Sequence, residues 1–226
     1  MGITRPKDPP VGRLRITRFF AESDGMAGLS VKLRGVTRTQ DIGRRLAREV
    51  LEVCELSRRE LRTEVPFAHH VEDLVLPARK VTEPEVAEAR KEIEALKQKG
   101  DASRRTAWHE ALFERYRTQG AAPTFTVEVH VLRIGDIAIA TSPFELYQDY
   151  GVQIKSRSKA LQTFVLELTG GWGGYLPTPR AVAGGGYGAV VQSGRVGPEG
   201  GQVLVDRTVE LINGFWDNPT RAQPQP

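Results

Sequence analysis

The chain has 226 residues, 39% hydrophobic and 27% charged, which is typical of a globular protein with one domain or two small ones. Its net charge is +4, but acidic and basic residues are interspersed except for a basic excess before about residue 36, so we expect no nucleic-acid partner. The sequence has no apolar stretch of about 18 residues and no apolar core of a secretory signal, so neither a membrane helix nor a signal peptide is expected and the compartment stays open.

The N-terminal region is expected to be a basic, poorly ordered arm over residues 1–36. A helix is then predicted over residues 39–56, with Thr39 or Asp41 as its cap. The single cysteine cannot form an internal disulfide and is expected to pack as a small hydrophobic residue. The apolar residues at helical spacing are Ile42, Leu46, Val50, Val53 and Cys54.

Residues 64–79 are predicted to be extended. His69 and His70 are adjacent there, and neighbouring side chains of a strand point to opposite faces. The two imidazoles therefore cannot both reach one metal ion without distortion, and a surface or turn position is favoured over metal ligation.

Two helices are predicted next, over residues 82–99 and 103–119, and they are expected to form an antiparallel hairpin. Thr82 can cap the first helix with Glu85 three residues later, and Gly100 can end it. His109 in the second helix is expected to serve packing or face solvent. The side chains predicted to face inward are Val86, Ala89, Ile93 and Leu96 in the first helix and Trp108, Leu112, Phe113 and Tyr116 in the second.

From Thr124, apolar and polar residues alternate strictly, which predicts a half-buried strand. A turn at Gly135-Asp136 and a returning strand are predicted to follow, so that the two strands form a hairpin. His130 lies on the polar face of the first strand and is expected to be exposed. Ser142-Pro143 is expected to end the second strand and to open a helix over residues 144–156.

Glu145 would then lie in the first turn of that helix, where negative charge is favoured. A buried strand is predicted over residues 163–168, a last helix over 198–216, and a disordered polar tail over 217–226. The order of elements predicts an α/β or α+β fold, in which helices flank a mixed sheet.

Residues 169–188, here called the glycine loop, read TGGWGGYLPTPRAVAGGGYG. Glycine allows positive φ and close approach of other groups, while the tryptophan and tyrosines are unusual for a flexible linker. A shaped functional loop is therefore favoured over a linker.

Four features of the second half now form a pattern: Gly135-Asp136 in a hairpin, Pro143-Phe144-Glu145, Tyr175-Leu176-Pro177-Thr178, and Tyr187 near a Gly-rich turn. In this pattern the chain resembles the neutral, non-lysosomal ceramidase family and its bacterial ceramidase-like relatives. The resemblance covers residues 134–216 and, with the upstream helix and strand, about 36–216.

The resemblance implies a zinc-dependent amidohydrolase that cleaves the N-acyl amide of ceramide to sphingosine and a fatty acid. By position, Glu145 and Tyr175 match zinc ligands, and Tyr187 matches the tyrosine that stabilises the oxyanion. Trp172 and Thr178 are expected to contact substrate. Members of the family are commonly exported.

The resemblance also implies that residues 37–216 form the C-terminal half of a catalytic domain. The family's zinc histidines and serine nucleophile lie upstream of the matched segment, and residues 1–36 hold no counterpart. Arg180 stands where the relatives carry a glutamate. A second chain that carries the missing half is the partner implied.

Two alternatives stay open. The chain can be a non-catalytic remnant or a split subunit of such an enzyme. It can also be an anion-binding module whose glycine loop offers backbone N–H groups, although the loop lacks a P-loop or dinucleotide-binding motif.

Overall fold

The computed structural model describes residues 37–58, 61–100 and 104–218. The chain divides into two compact units, Met1–Glu64 and Val65–Pro226. The predicted arm over residues 1–36 and residues 219–226 of the predicted tail lie outside the described residues. Within the described ranges, no helix has the length and apolar character needed to cross a membrane.

The described part of the first unit is mainly one helix, α1, Arg38–Ser57, as the sequence predicts. Its cap is Thr37, whereas Thr39 or Asp41 was predicted. The Thr37 Oγ1 accepts from the Gln40 N–H at 3.3 Å, and the Gln40 side chain accepts from the Thr37 N–H at 3.0 Å, which completes a capping box.

Asp41 has a different role, because its buried carboxylate pairs with Arg45 one turn along α1 at 2.8 Å. The expectation that Cys54 packs as a buried hydrophobic residue is wrong, since its side chain is exposed. Leu46 and Val50, on the predicted apolar face, are also each 52% exposed.

The second unit contains most of the regular structure, and its elements agree with the predicted order except around residue 144 and within the glycine loop, where a strand and a short helix were not predicted. In chain order the elements are β1 Phe67–Pro77, α2 Glu83–Gln98, α3 Arg104–Thr118, β2 Thr124–Ile134, β3 Ile137–Thr141, β4 Phe144–Leu146, α4 Gln148–Arg157, β5 Gln162–Leu166, β6 Gly174–Leu176, α5 Pro179–Gly184 and α6 Pro198–Asp217.

The main sheet has the strand order β1-β2-β3-β5. The pairs β1–β2 and β2–β3 are antiparallel, and β3 pairs with β5 in parallel. The β2–β3 connection is the predicted turn, with Gly135 at φ +61°. This mixed sheet with flanking helices confirms the predicted α/β fold.

A second, two-stranded sheet pairs β4 with β6 in parallel. The predicted helix over residues 144–156 is therefore wrong at its start: Phe144 to Leu146 form a strand, and α4 begins only after Tyr147. Phe144 is fully buried against Gly173, and its backbone pairs with Gly174. This tertiary pairing decides the conformation of a tripeptide that local sequence would allow in a helix.

The main sheet is covered on one face, where α6 and α4 pack against it. The alternate residues of β2 predicted to point inward, Val127, Val129 and Val131, are buried in this core. The other face exposes apolar side chains, so the prediction that residues 163–168 are buried is wrong. The larger exposed residues of that face are Phe67, Val71, Val75, Ile134, Ile137, Phe164 and Leu166.

Helices α2 and α3 pack against each other as the predicted hairpin. The capping box of Thr82 and Glu85 is present, and Gly100 follows the helix at φ +72°. Every apolar residue predicted to face inward from α2 is buried. In α3 the pattern fails at its end, since Tyr116 is 40% exposed, whereas His109 is buried.

A partly buried arginine joins α3 to the segment that follows the glycine loop. The Arg115 guanidinium donates to the carbonyls of Val191 at 2.9 Å and Gly194 at 2.8 Å, and also to the carbonyl of Arg79. Burial, followed by the neighbouring Arg195 and Arg79, lowers the pKa of Arg115 to about 10, so the side chain is still charged at neutral pH. It satisfies carbonyl groups that would otherwise be buried without donors.

Candidate active site

The two short strands of the second sheet place Glu145 beside Tyr175. In the parallel register Phe144 pairs with Gly174, Glu145 with Tyr175 and Leu146 with Leu176. Their side chains therefore leave the same face of the ribbon. Glu145 lies on a strand and not in a first helical turn, so its predicted interaction with a helix dipole is wrong.

The two side chains are close enough for the carboxylate to affect the phenol electrostatically. The neighbouring Glu145 carboxylate, to which the phenol can donate, is the main cause that raises the pKa of Tyr175, and burial and Tyr187 add to the effect. Tyr175 therefore stays protonated well above neutral pH. Its hydroxyl is available as a hydrogen-bond donor beside a carboxylate.

Tyr187 completes a group of three. Its ring meets that of Tyr175 edge-on, with centroids 5.7 Å apart and planes at 79°. On its other side it stacks on Trp108 of α3 at 5.9 Å and 22°. Tyr187 is nevertheless 69% exposed, so a ligand can reach it.

The glycine loop is shaped by its glycines at this point. A Cβ on Gly188 would lie 2.9 Å from the Tyr147 hydroxyl and 3.0 Å from Cδ1 of Tyr175. Only a residue without a side chain allows the loop to pass so close to both rings. Tyr147, which follows β4 directly, is thus a fourth member of the group that sequence reasoning missed.

A second carboxylate also lies near Glu145. Burial raises the pKa of Glu167, the N–H of Leu146 opposes that shift, and the charge of Glu145 raises the pKa further. Sequence reasoning missed Glu167 because it placed this residue inside the predicted strand over 163–168, whereas β5 ends at Leu166 and Glu167 follows the strand.

The two residues expected to contact substrate lie in different surroundings. Trp172 is 69% exposed on the glycine loop, with no ring contact among the described residues. Thr178 is buried, and its Oγ1 accepts from the Ala181 N–H at 3.2 Å as the cap of α5. Its hydroxyl therefore has a structural partner already. Neither placement tests a substrate role, which stays a prediction.

Histidines are not part of this group. His69 and His130 stack on the outer face of the main sheet, with Nε2 and Nδ1 2.9 Å apart, and Glu128 lies 3.0 Å from His130. His70 points to the opposite face, as predicted, and contacts Glu72 at 2.9 Å. The prediction that His130 is simply exposed is wrong, because it is half-buried in this chain of contacts.

The donor set does not fit a self-sufficient zinc site. A carboxylate and a phenol meet at β4–β6, whereas stable zinc sites have three or four ligands and usually include nitrogen or sulfur. Among the described residues, no three histidine, cysteine, aspartate or glutamate side chains are grouped so that they could hold a metal ion. Zinc binding at Glu145 and Tyr175 stays a prediction that needs donors from elsewhere.

Several amides in and directly after the glycine loop are engaged within the protein. The N–H of Gly173 donates to Pro143 at 2.8 Å, that of Gly185 to Val182 at 3.3 Å, and that of Ala189 to Gly186 at 3.0 Å. This arrangement explains why the loop is ordered, with β6 and α5 inside it, and is not a flexible linker.

Comparison with known proteins gives a partial likeness in structure. No protein-family model matches the chain, and no curated protein matches it. A solved structure described as "Ceramidase complexed with C2" is similar at a TM-score of 0.37 and 15% identity, over 45% of this chain and 16% of that chain. That protein is a ceramidase, but a likeness of this extent concerns part of the fold and carries no functional argument.

Proposed function

We propose that this chain supplies part of the active site of a ceramidase-like amidohydrolase, which cleaves the N-acyl amide of ceramide to sphingosine and a fatty acid. The observation that supports this most is the meeting of Glu145, Tyr175 and Tyr187 from three separate segments at one exposed point. The assignment to the neutral, non-lysosomal family is part of the same proposal.

Tyr187 is the proposed oxyanion donor. Attack on an amide carbonyl places negative charge on its oxygen, and a hydroxyl held in position stabilises that charge without reorganising. The two rings on either side of Tyr187, from Trp108 and Tyr175, restrict where its hydroxyl can lie. Its exposed edge leaves room for the substrate.

Glu145 and Tyr175 are the proposed acid–base pair of the same site. The carboxylate can accept a proton from an attacking group, and the phenol, kept protonated by that carboxylate, can donate a hydrogen bond. We derive no step through zinc, because the donors in this chain do not fit a complete zinc site.

The nucleophile and the nitrogen ligands expected by resemblance would come from residues outside this sequence. The proposed partners are thus a ceramide-type lipid and a chain that carries the missing half of the catalytic domain. The competing proposal is that the chain is a non-catalytic remnant. In that case no hydrolysis is expected, whichever second chain is added.

The test is amide hydrolysis of a short-chain fluorogenic ceramide by the full chain together with the polypeptide encoded directly upstream. We expect turnover in the mixture, and a decrease in kcat of about 10²–10³-fold in Tyr187→Phe, since one oxyanion donor is lost. Glu145→Gln should also lower kcat. Tyr116→Phe is the matched control, because it removes an exposed phenol from α3 and should leave kcat unchanged.

An unchanged kcat in Tyr187→Phe, with circular dichroism showing a folded protein, would remove Tyr187 from the mechanism. A mixture that does not hydrolyse the amide at all would favour the remnant.

A further inference from the structure

A cavity lies next to Tyr187 and is separate from the group of Glu145, Tyr175 and Tyr187 described above. It is an open cleft with a volume of about 350 Å³, lined by residues of α2, α3 and the segment 182–192. That volume is at the lower end of the range for small-molecule sites, so it suits a ligand of head-group size.

The walls of this cavity carry an excess of negative charge. Glu85, Glu88 and Glu92 reach it from α2, against one cation, Arg79. Arg79 is engaged with Glu85 at 3.1 Å. Glu88 pairs with Lys91 at 3.5 Å, and Glu92 has no ion pair or hydrogen bond with the described residues. A cation of suitable size is therefore the ligand that the charges favour.

A buried histidine provides a second, independent observation. His109 lines the cavity and is 7% exposed. Its Nδ1 faces the side-chain nitrogen of Gln192 at 3.3 Å, and because an amide nitrogen donates, Nδ1 accepts and the proton lies on Nε2. Nε2–H has no acceptor among the described residues and is available to a hydroxyl oxygen of a ligand.

An aromatic wall connects the cavity to the proposed active site. Trp108 lines the cavity, meets His109 edge-on at 5.0 Å, and stacks on Tyr187. Indole rings attract ammonium groups. A ligand bound here would be separated from Tyr187, the proposed oxyanion donor, by the ring of Trp108.

We infer that this cavity binds a small amino alcohol in its ammonium form. The ammonium lies between Glu92 and Trp108, and a neighbouring hydroxyl accepts from Nε2–H of His109. The inference rests on the proposed function for its biological ligand, since sphingosine, the amine product of ceramide cleavage, carries an ammonium beside hydroxyl groups. The cavity would then hold the amine product after the amide is cleaved.

The experiment is a titration of the full chain with 2-amino-1,3-propanediol at neutral pH, followed by the indole N–H signal of Trp108 in proton–nitrogen correlation spectra. Trp108→Phe assigns that signal. We expect a saturable shift, and Glu92→Gln should weaken binding by about three- to fivefold, because one carboxylate near the cation is neutralised. Glu94→Gln, on an exposed residue of the same helix outside the cavity, should bind as the unchanged chain does.

Equal responses to 2-amino-1,3-propanediol and to uncharged 1,3-propanediol would overturn the inference, as would equal weakening by Glu92→Gln and Glu94→Gln. Amine binding at Trp108 without amide hydrolysis would contradict only the proposed function. Hydrolysis without amine binding would contradict only this inference.

Discussion

Gly194 and Gly174 cross each other so closely that neither position tolerates a side chain. A Cβ on Gly194 would lie 2.1 Å from the carbonyl oxygen of Tyr175, and one on Gly174 would lie 2.3 Å from the carbonyl oxygen of Ser193. The two residues form an isolated antiparallel bridge. This contact holds β6, and with it Tyr175, against the segment after the glycine loop.

We therefore expect Gly194→Ala to lower the free energy of unfolding by about 1–3 kcal/mol, because the backbone must move to admit a methyl group. The measurement is unfolding in urea followed by circular dichroism. Gly184→Ala is the matched control: nothing lies within 4 Å of its Cβ position, so its free energy of unfolding should stay within about 0.5 kcal/mol. Equal stabilities of the two variants would show that the crossing is not tight.

At the level of single residues, the period correctly predicted the buried side chains of α2 and β2, but it failed for Leu46, Val50 and Cys54 of α1. The residues Glu145, Tyr175 and Tyr187 came from the resemblance, and the structure does bring them together. Tyr147 and Glu167 were missed because their position depends on how β4 and the glycine loop meet. No local pattern encodes that contact.

The helix α6 is joined to β1 by an ion pair on the covered face of the sheet. Arg207 donates to both carboxylate oxygens of Glu72, from Nε at 2.7 Å and from Nη2 at 2.6 Å. This bidentate hydrogen bond is the main cause that lowers the pKa of Glu72 from 4.5 to about 2. The Glu72 side chain is 21% exposed, so solvent screens part of the interaction.

Because the pKa of Glu72 is lower in the folded protein, the pair stabilises the fold above about pH 4.5, and this contribution is lost as the pH falls towards 2. We expect Glu72→Gln to lower the free energy of unfolding by about 1–2 kcal/mol at pH 7. Near pH 2 the free energies of unfolding of the variant and the unchanged protein should become similar. Urea unfolding of both proteins at several pH values measures how this difference in free energy depends on pH.

The control is Asp73→Asn, on the neighbouring, outward-facing residue of β1. It has no ion pair among the described residues, so its effect should be small and should not depend on pH in this way. A Glu72→Gln effect of constant size from pH 2 to 7 would show that the ion pair is not its source.

Long, strongly periodic elements were predictable: α1, α2, α3, β1, β2 and α6 were all expected close to their observed bounds. The failure at β4 has a specific cause. Ser142-Pro143 is a reasonable helix start locally, but three residues pair with a strand about 30 positions later along the chain. Strand pairing at that separation cannot be read from a local window.

Across the whole molecule, the alternation in β2 predicted two distinct faces, and the structure shows which one is covered. The covered face packs on α6, whereas apolar residues on β1 and β5 remain exposed on the other. Periodicity assigns residues to faces, but the partner of each face is a tertiary property, which is why residues 163–168 were wrongly expected to be buried.

The donor set of the whole described chain leads to a prediction about zinc. We expect calorimetric titration of the full chain with zinc chloride to show no tight one-to-one site that depends on Glu145, because the carboxylate and phenol there have no nitrogen ligand nearby. Weak binding at the stacked pair of His69 and His130 should disappear in His130→Gln and persist in Glu145→Gln. Tight binding abolished by Glu145→Gln would show instead that the chain holds a complete site.

The parallel pairing of β4 with β6 also separates the part of the chain that can change in length from the part that cannot. Residues 147–173 connect Leu146 to Gly174, and an insertion in a loop of that connection, outside α4 and β5, leaves Glu145 opposite Tyr175. One extra residue inside Phe144–Leu146 or Gly174–Leu176 shifts the pairing by one position and turns the carboxylate and the phenol to opposite faces of the ribbon. The number of residues in the loops between the two strands can thus vary. The length of each strand must stay the same for Glu145 to lie beside Tyr175.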